Sequence, residues 1–280
     1  MRAASRDRPT FVRNVAILAS CQAFFFMANT ILITTSALVG LQLAPSPALA
    51  TIPLAAQFLG TMLATMPASL LMGRVGRRAG LVTGGLFGIA SGLLSAYGVV
   101  HASFAIFTAA GLLYGVFAAF AQYYRFAAAD AADRSAAADK LASRARAIGL
   151  VMAGGLVAGF FGPELAKATQ DLLAPFIFAG CYVAIAAVAL GATVTLLFLD
   201  LPLVPPQSSD EPARPLREII RQPIALTAFF SALVAYVTMN LLMTMPPLAM
   251  LACGFAFAES ATVIQWHVVG MFAPSFVTGS

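Results

Sequence analysis

Gln22 and Asn29 lie seven residues apart in one long apolar run, and Gln57, Thr61 and Thr65 recur every fourth residue in the next. Both spacings put side chains on one face of a helix. A polar group in hydrocarbon is costly unless it faces a wet cavity or bonds a neighbouring helix. For Gln22, Asn29, Gln57 and Asn240, each near the middle of an apolar run, both readings stand. Tyr114, Gln122 and Arg125, spaced by eight and three, share a helical face. Arg125 can bind an anionic substrate, pair with a carboxylate, or reach out to lipid headgroups. Trp266, the only tryptophan, and His267 open the last apolar run. Trp266 either anchors at the membrane interface or stacks on a flat solute. His267 either relays a proton or packs. Every Asp and Glu falls in a loop or near the end of a run, with Glu164 closest to burial. Glu164 and His267 are therefore the candidates for proton coupling, and transport without coupling is the other reading.

Other chemistries find no support. There is no Gly-x-Ser-x-Gly, no His-Glu-x-x-His, no phosphate loop and no metal-spaced cluster. Cys21, Cys181 and Cys253 form no Cys-x-x-Cys pair and read as small buried residues. The chain reads as a non-enzyme without cofactor or metal.

The positioning elements follow from composition. Of 280 residues, 60% are hydrophobic and only 10% charged, against about 25% charged in soluble domains. Mean hydropathy is +0.89. This is an all-α integral membrane protein with about eight spanning segments: 11–44, 49–72, 80–100, 104–126, 147–166, 175–199, 224–250 and one beginning near 260. Pro246-Pro247 interrupts the seventh. Residues 127–146 read as an alanine-rich, charged, helical loop in the cytoplasm, and 200–223, with its prolines, as a linker. Short loops rich in Lys and Arg stay in the cytoplasm. With the N-terminus inside, every Lys and Arg except Lys167 falls on the inner side. The net charge of +5 is spread over these loops, so it reads as topology and not as a nucleic-acid surface.

Between segments two and three runs Ser69-Leu70-Leu71-Met72-Gly73-Arg74-Val75-Gly76-Arg77-Arg78. Together with six spans, a long inner linker and further spans, this resembles the major facilitator superfamily, whose loop pattern is Gly-x-x-x-Asp-Arg-x-Gly-Arg-Arg. Arg74, Gly76, Arg77 and Arg78 match. Ser69 replaces the first glycine and Gly73 the aspartate, which leaves part of the family's inner-gate locking without its residue here. Segment five resembles the antiporters' glycine pattern at Gly149 and Gly162-Pro163, but Ala158 and Ala166-Lys167 depart from it, and close packing explains the glycines as well. Laying segment eight on segment two with an offset of 210 pairs Gly270 with Gly60, His267 with Gln57 and Gly279 with Ser69, a trace of an internal repeat. The strings Gln122-Tyr123-Tyr124-Arg125 and Ile264-Gln265-Trp266-His267 resemble a riboflavin-permease-like bacterial branch.

The resemblance implies eight of twelve helices: a bundle over 1–199, a cytoplasmic linker over 200–223, and the start of a second bundle over 224–280. It implies a monomeric secondary transporter in the bacterial cytoplasmic membrane, moving a small organic solute by alternating access, with protons as an optional partner. The alternatives are a membrane receptor on a transporter scaffold and an inactive fragment.

Overall fold

The computed structural model describes residues 4–133, 139–201 and 216–273. Among them, regular structure is helical: α1 (Ala4–Leu43), a 3-10 turn (Pro47–Leu49), α2 (Ile52–Val75), α3 (Arg77–Val100), α4 (Phe104–Ala121), α5 (Tyr124–Asp133), α6 (Lys140–Thr169), α7 (Ala179–Leu196), α8 (Leu216–Ile220), α9 (Pro223–Ala252) and α10 (Phe257–Phe272). Seven spans among the described residues are long and apolar enough to cross a membrane, with α4 and α5 counted as one. The sequence predicts about eight. The described part of the eighth, α10, is 16 residues long, short of the roughly 20 that a bilayer needs. Residues 274–280 lie outside the described residues, as do 202–215 of the expected linker and its Arg214.

Two boundaries differ from the sequence reading. The alanine-rich stretch from 127 is helical as expected but does not stand apart as a loop: α5 carries the fourth span on to Asp133, with Ala127, Ala128, Ala129, Ala131 and Ala132 buried. Alanine is the best helix former, and its small side chain lets α5 lie close against α1 and α6. Nor does Pro246-Pro247 interrupt the seventh span. Helix α9 runs through both prolines, whose missing N–H groups remove backbone hydrogen bonds without ending it.

Helices approach closely where side chains vanish. α2 lies on α4, α3 on α4 and α7, and α1 on α6 and α7. A Cβ added to Gly60 would collide with the Leu112 carbonyl, one on Gly111 with the Pro53 carbonyl, and one on Gly115 with the Gln57 carbonyl. The α2–α4 contact is thus backbone on backbone. Gly92 meets Tyr182 and Ala186 of α7 in the same way, and Gly154 meets Ala19 of α1.

The α2–α3 connection is a single residue, Gly76, at φ 92° and ψ 159°, a conformation that suits glycine alone. Arg74 therefore belongs to the last turn of α2, where a cation suits the helix dipole, while Arg77 and Arg78 open α3, where it opposes them. At the same end of the bundle, the buried Asn14 side chain donates to the Asp200 carbonyl at 2.8 Å and accepts from the Asp200 N–H at 3.2 Å. Arg13 adds an exposed ion pair to Asp200 at 3.3 Å. This fastens the end of the sixth span to the first. The outer surface is apolar: Met66, Phe198, Phe229 and Val234 are each well over half exposed, as hydrocarbon-facing residues should be.

Gly115→Val should lower the thermal midpoint of the purified chain in detergent, because overpacking costs about 1–3 kcal/mol. Gly73→Ala, where an added Cβ meets nothing within 4 Å, should leave it unchanged or raise it slightly. Equal losses from both would mean that the α2–α4 contact is not the constraint described.

Candidate functional site

α1, α2, the α4–α5 span and α6 face α9 and α10 across a cavity of about 720 Å³, within the roughly 300–1,000 Å³ of small-molecule sites. Asn29, Gln57, Gln122, Arg125 and Asn240 all line it. The sequence separates these residues by up to 211 positions; the fold brings them to one space.

Their bonding differs. The Gln57 Nε2 donates to Asn29 Oδ1 at 3.3 Å, and the backbone of Gln57 is held against Gly115. Its Oε1 is buried without a partner among the described residues. Thr61 and Thr65 line the cavity but donate their hydroxyls back along α2, to the Gln57 carbonyl at 3.0 Å and the Thr61 carbonyl at 2.6 Å. Asn240 donates to the Tyr236 carbonyl of its own helix at 2.8 Å. Arg125 has no carboxylate partner among the described residues. Its Nε is buried and unpartnered, and its guanidinium carbon lies 5.1 Å from the Phe126 ring centre, within cation–π range.

Other sequence candidates lie elsewhere. Gln22 is buried in α1 and Tyr114 fully buried in α4, neither on the cavity wall. Tyr114 packs edge-on against Phe117 at 5.6 Å. It parts from Gln122 and Arg125 because the span tightens at its middle, where Tyr123 N–H bonds the Phe120 carbonyl three residues back, and this breaks the 3.6 register. Trp266 is 64% exposed on α10, and His267 is half-buried off the cavity. Glu164 pairs with Lys167 at 2.6 Å on the surface of α6, and Lys167 also reaches Thr262 of α10 at 3.4 Å. Among the described residues, no Asp, Glu or His lines the cavity.

At the Gly76 turn, Arg77 Nε donates to Asp130 of α5 at 2.9 Å, with both side chains about three-quarters buried. Gly73 leaves the turn without its own aspartate, and Asp130 supplies a carboxylate from across the bundle. The sequence reading placed Asp130 in a loop. The arginine's carbon also lies 6.0 Å from the Tyr123 ring, and Tyr123 donates to the Thr65 carbonyl at 3.0 Å. Tyr123 lines the cavity as well. Arg74 and Arg78 are exposed.

Sequence reasoning missed Asp130, Asn14 and the apolar walls. Phe26 of α1 meets Phe272 of α10 at 4.9 Å. Phe58 and Phe126 add rings, and Met62, Met152, Met239, Met243 and Met271 come from four helices. A second groove of about 480 Å³, along α2 with Arg74 at its mouth, is otherwise apolar and offers little to orient a solute.

A multi-span helical protein with a polar-studded internal cavity has the architecture of a solute carrier. The chain belongs to the Major Facilitator Superfamily, which its residues 18–280 match. It is 40% identical over 269 residues to the riboflavin transporter RfnT of Brucella anthropi, covering 95% of this chain and 66% of that protein. It is 28% identical over 262 residues to the uncharacterized MFS-type transporter YddS of Bacillus subtilis, covering 88% of this chain and 58% of that one. The chain thus spans somewhat under two thirds of the length of these relatives. The sequence-level resemblance to the superfamily is borne out, as are the all-α membrane fold and the multi-pass membrane placement.

Arg77→Gln and Asp130→Asn should each lower thermal stability, and the double variant should lose little more than either single one, since paired groups couple by about 0.5–3 kcal/mol. Additive losses would mean that the two side chains act independently.

Proposed function

We propose that the complete gene product is a secondary transporter of a planar heteroaromatic solute, with riboflavin the leading substrate. The observation that carries this reading is Arg125. A guanidinium costs about 2.5–3.5 kcal/mol in the middle of a membrane helix. This one sits on the cavity wall beside aromatic rings, without a carboxylate to neutralise it among the described residues. A solute with a carbonyl or hydroxyl oxygen would satisfy its buried Nε, and Phe26, Phe58 and Phe126 offer faces or edges for a flat ring. The transport activity of the relative from Brucella anthropi supports the same choice.

Transport would proceed by alternating access around this cavity, with the bundle over 1–199 rocking against the segments from 224 onward and 200–223 joining them. In this reading the N-terminus lies in the cytoplasm of a bacterial cell, which the basic residues near the turn and the helix ends support, the protein sits in the inner membrane, and the working unit is a monomer. Neither Glu164 nor His267 touches the cavity, so no coupling proton is assigned to either residue.

Cells that lack riboflavin synthesis and express the complete gene product should take up riboflavin saturably. Arg125→Gln should raise the KM about tenfold or more, the scale of a lost charge-assisted hydrogen bond. Absence of saturable uptake by the unmodified protein would overturn the flavin reading, and binding without flux into sealed vesicles would overturn the transport reading. Glu164→Gln should leave the pH profile of uptake unchanged. A profile that moves with Glu164 would restore that residue as a coupling group.

A further inference from the structure

Gln57 and Asn29, both on the cavity lining, make one hydrogen bond to each other and leave one acceptor and one amino group without a partner among the described residues. The Gln57 amide gives its Nε2 to Asn29 Oδ1 at 3.3 Å. Gln57 is only 3% exposed, and its Oε1 has no partner among the described residues. Asn29 Nδ2 makes no hydrogen bond among the described residues either. A buried acceptor left unpaired costs about 1–3 kcal/mol, so a group retained there calls for a donor that the described residues do not supply.

We propose that the Gln57–Asn29 pair recognises the edge of a cyclic imide or lactam, where a ring N–H stands beside a ring carbonyl. Gln57 Oε1 accepts from the ring N–H and Asn29 Nδ2 donates to the neighbouring carbonyl. Two side-chain amides joined by one bond present one acceptor and one donor, which is the complement of another amide. With the amides set as the Gln57–Asn29 hydrogen bond has them, an imide offers its ring N–H to Gln57 Oε1 and a flanking carbonyl to Asn29 Nδ2. The proposal rests on the flavin reading, since the isoalloxazine ring carries such an imide.

The pair and Arg125 address different parts of the solute. Tyr123, two residues before Arg125, bonds the Thr65 carbonyl, which is eight residues along α2 from Gln57, a rise of about 12 Å. An extended molecule with a polar edge at one end and further oxygens toward the other spans that distance. The aromatic and methionine walls cover the ring between them.

The test compares riboflavin with 3-methylriboflavin, in which a methyl group replaces the imide hydrogen. The complete gene product in proteoliposomes takes up labelled riboflavin, and each compound competes. The unmodified protein should prefer riboflavin by about tenfold or more, because the methyl group removes the donor and leaves Gln57 Oε1 buried and unpaired. Gln57→Leu should weaken riboflavin by a similar factor and bring the ratio of the two compounds close to one. Equal competition in the unmodified protein, or an undiminished preference in Gln57→Leu, would overturn the proposal while riboflavin uptake stands. Absence of riboflavin uptake altogether would overturn the flavin reading and this proposal with it. If Gln57→Leu does not fold, the comparison in the unmodified protein decides alone.

Discussion

The rest of the structure depends on how closely α2 can lie on α4. Inside a bilayer, water gives helices no hydrophobic reason to associate, so contact is won by removing side chains from the interface. Gly60, Gly111 and Gly115 do this from both sides, and each meets a carbonyl of the facing helix. The contact fixes the height and rotation of α2. Gln57 is therefore held where its amide meets Asn29 of α1, and its backbone cannot slide without separating the two helices. The cavity is the space left on the other flank of that joint, closed by α9 and α10.

Charge follows a second rule in this molecule. Arg13, Arg77, Arg144 and Lys167 each meet a carboxylate, at Asp200, Asp130, Asp133 and Glu164. The Arg13–Asp200 and Arg144–Asp133 pairs are largely exposed and contribute little on their own. The Arg77–Asp130 pair is about three-quarters buried, so removing either partner would leave a charge in a poorly solvated place. It also offsets the cost of two arginines at the positive end of α3. Arg74 and Arg78 have no carboxylate among the described residues but are exposed to solvent or headgroups; Arg125 combines the same lack with a buried Nε, which is why it reads as a group for something outside the protein.

Much of the fold was legible from residue types. Apolar length marked the spans. The tight turn at Gly76 followed from glycine and arginine with no room between two runs. What failed were judgements resting on local composition alone. Alanines and charges from 127 onward looked like a helical loop, because sequence does not reveal that α1 and α6 are near enough to bury a row of methyl groups. Pro246-Pro247 looked like a break, because backbone groups freed by proline are tolerated within a packed or apolar setting. Within the cavity, Asn29, Gln57, Gln122, Arg125 and Asn240 were visible as polar residues out of place. Tyr114 followed the same helical count, yet the tightening at Phe120–Tyr123 turned it into the core. Asp130 was hidden because its partner lies 53 positions away and the usual aspartate is absent from position 73.

Tyr123 belongs to two neighbourhoods at once. Its ring is part of the cavity wall and lies near the Arg77 guanidinium, while its hydroxyl is tied to α2 at Thr65. A solute pressing on that ring and a rearrangement of the turn would compete for the same few ångströms of one side chain. Moving that one ring would disturb the cavity wall and the surroundings of the Arg77 turn together.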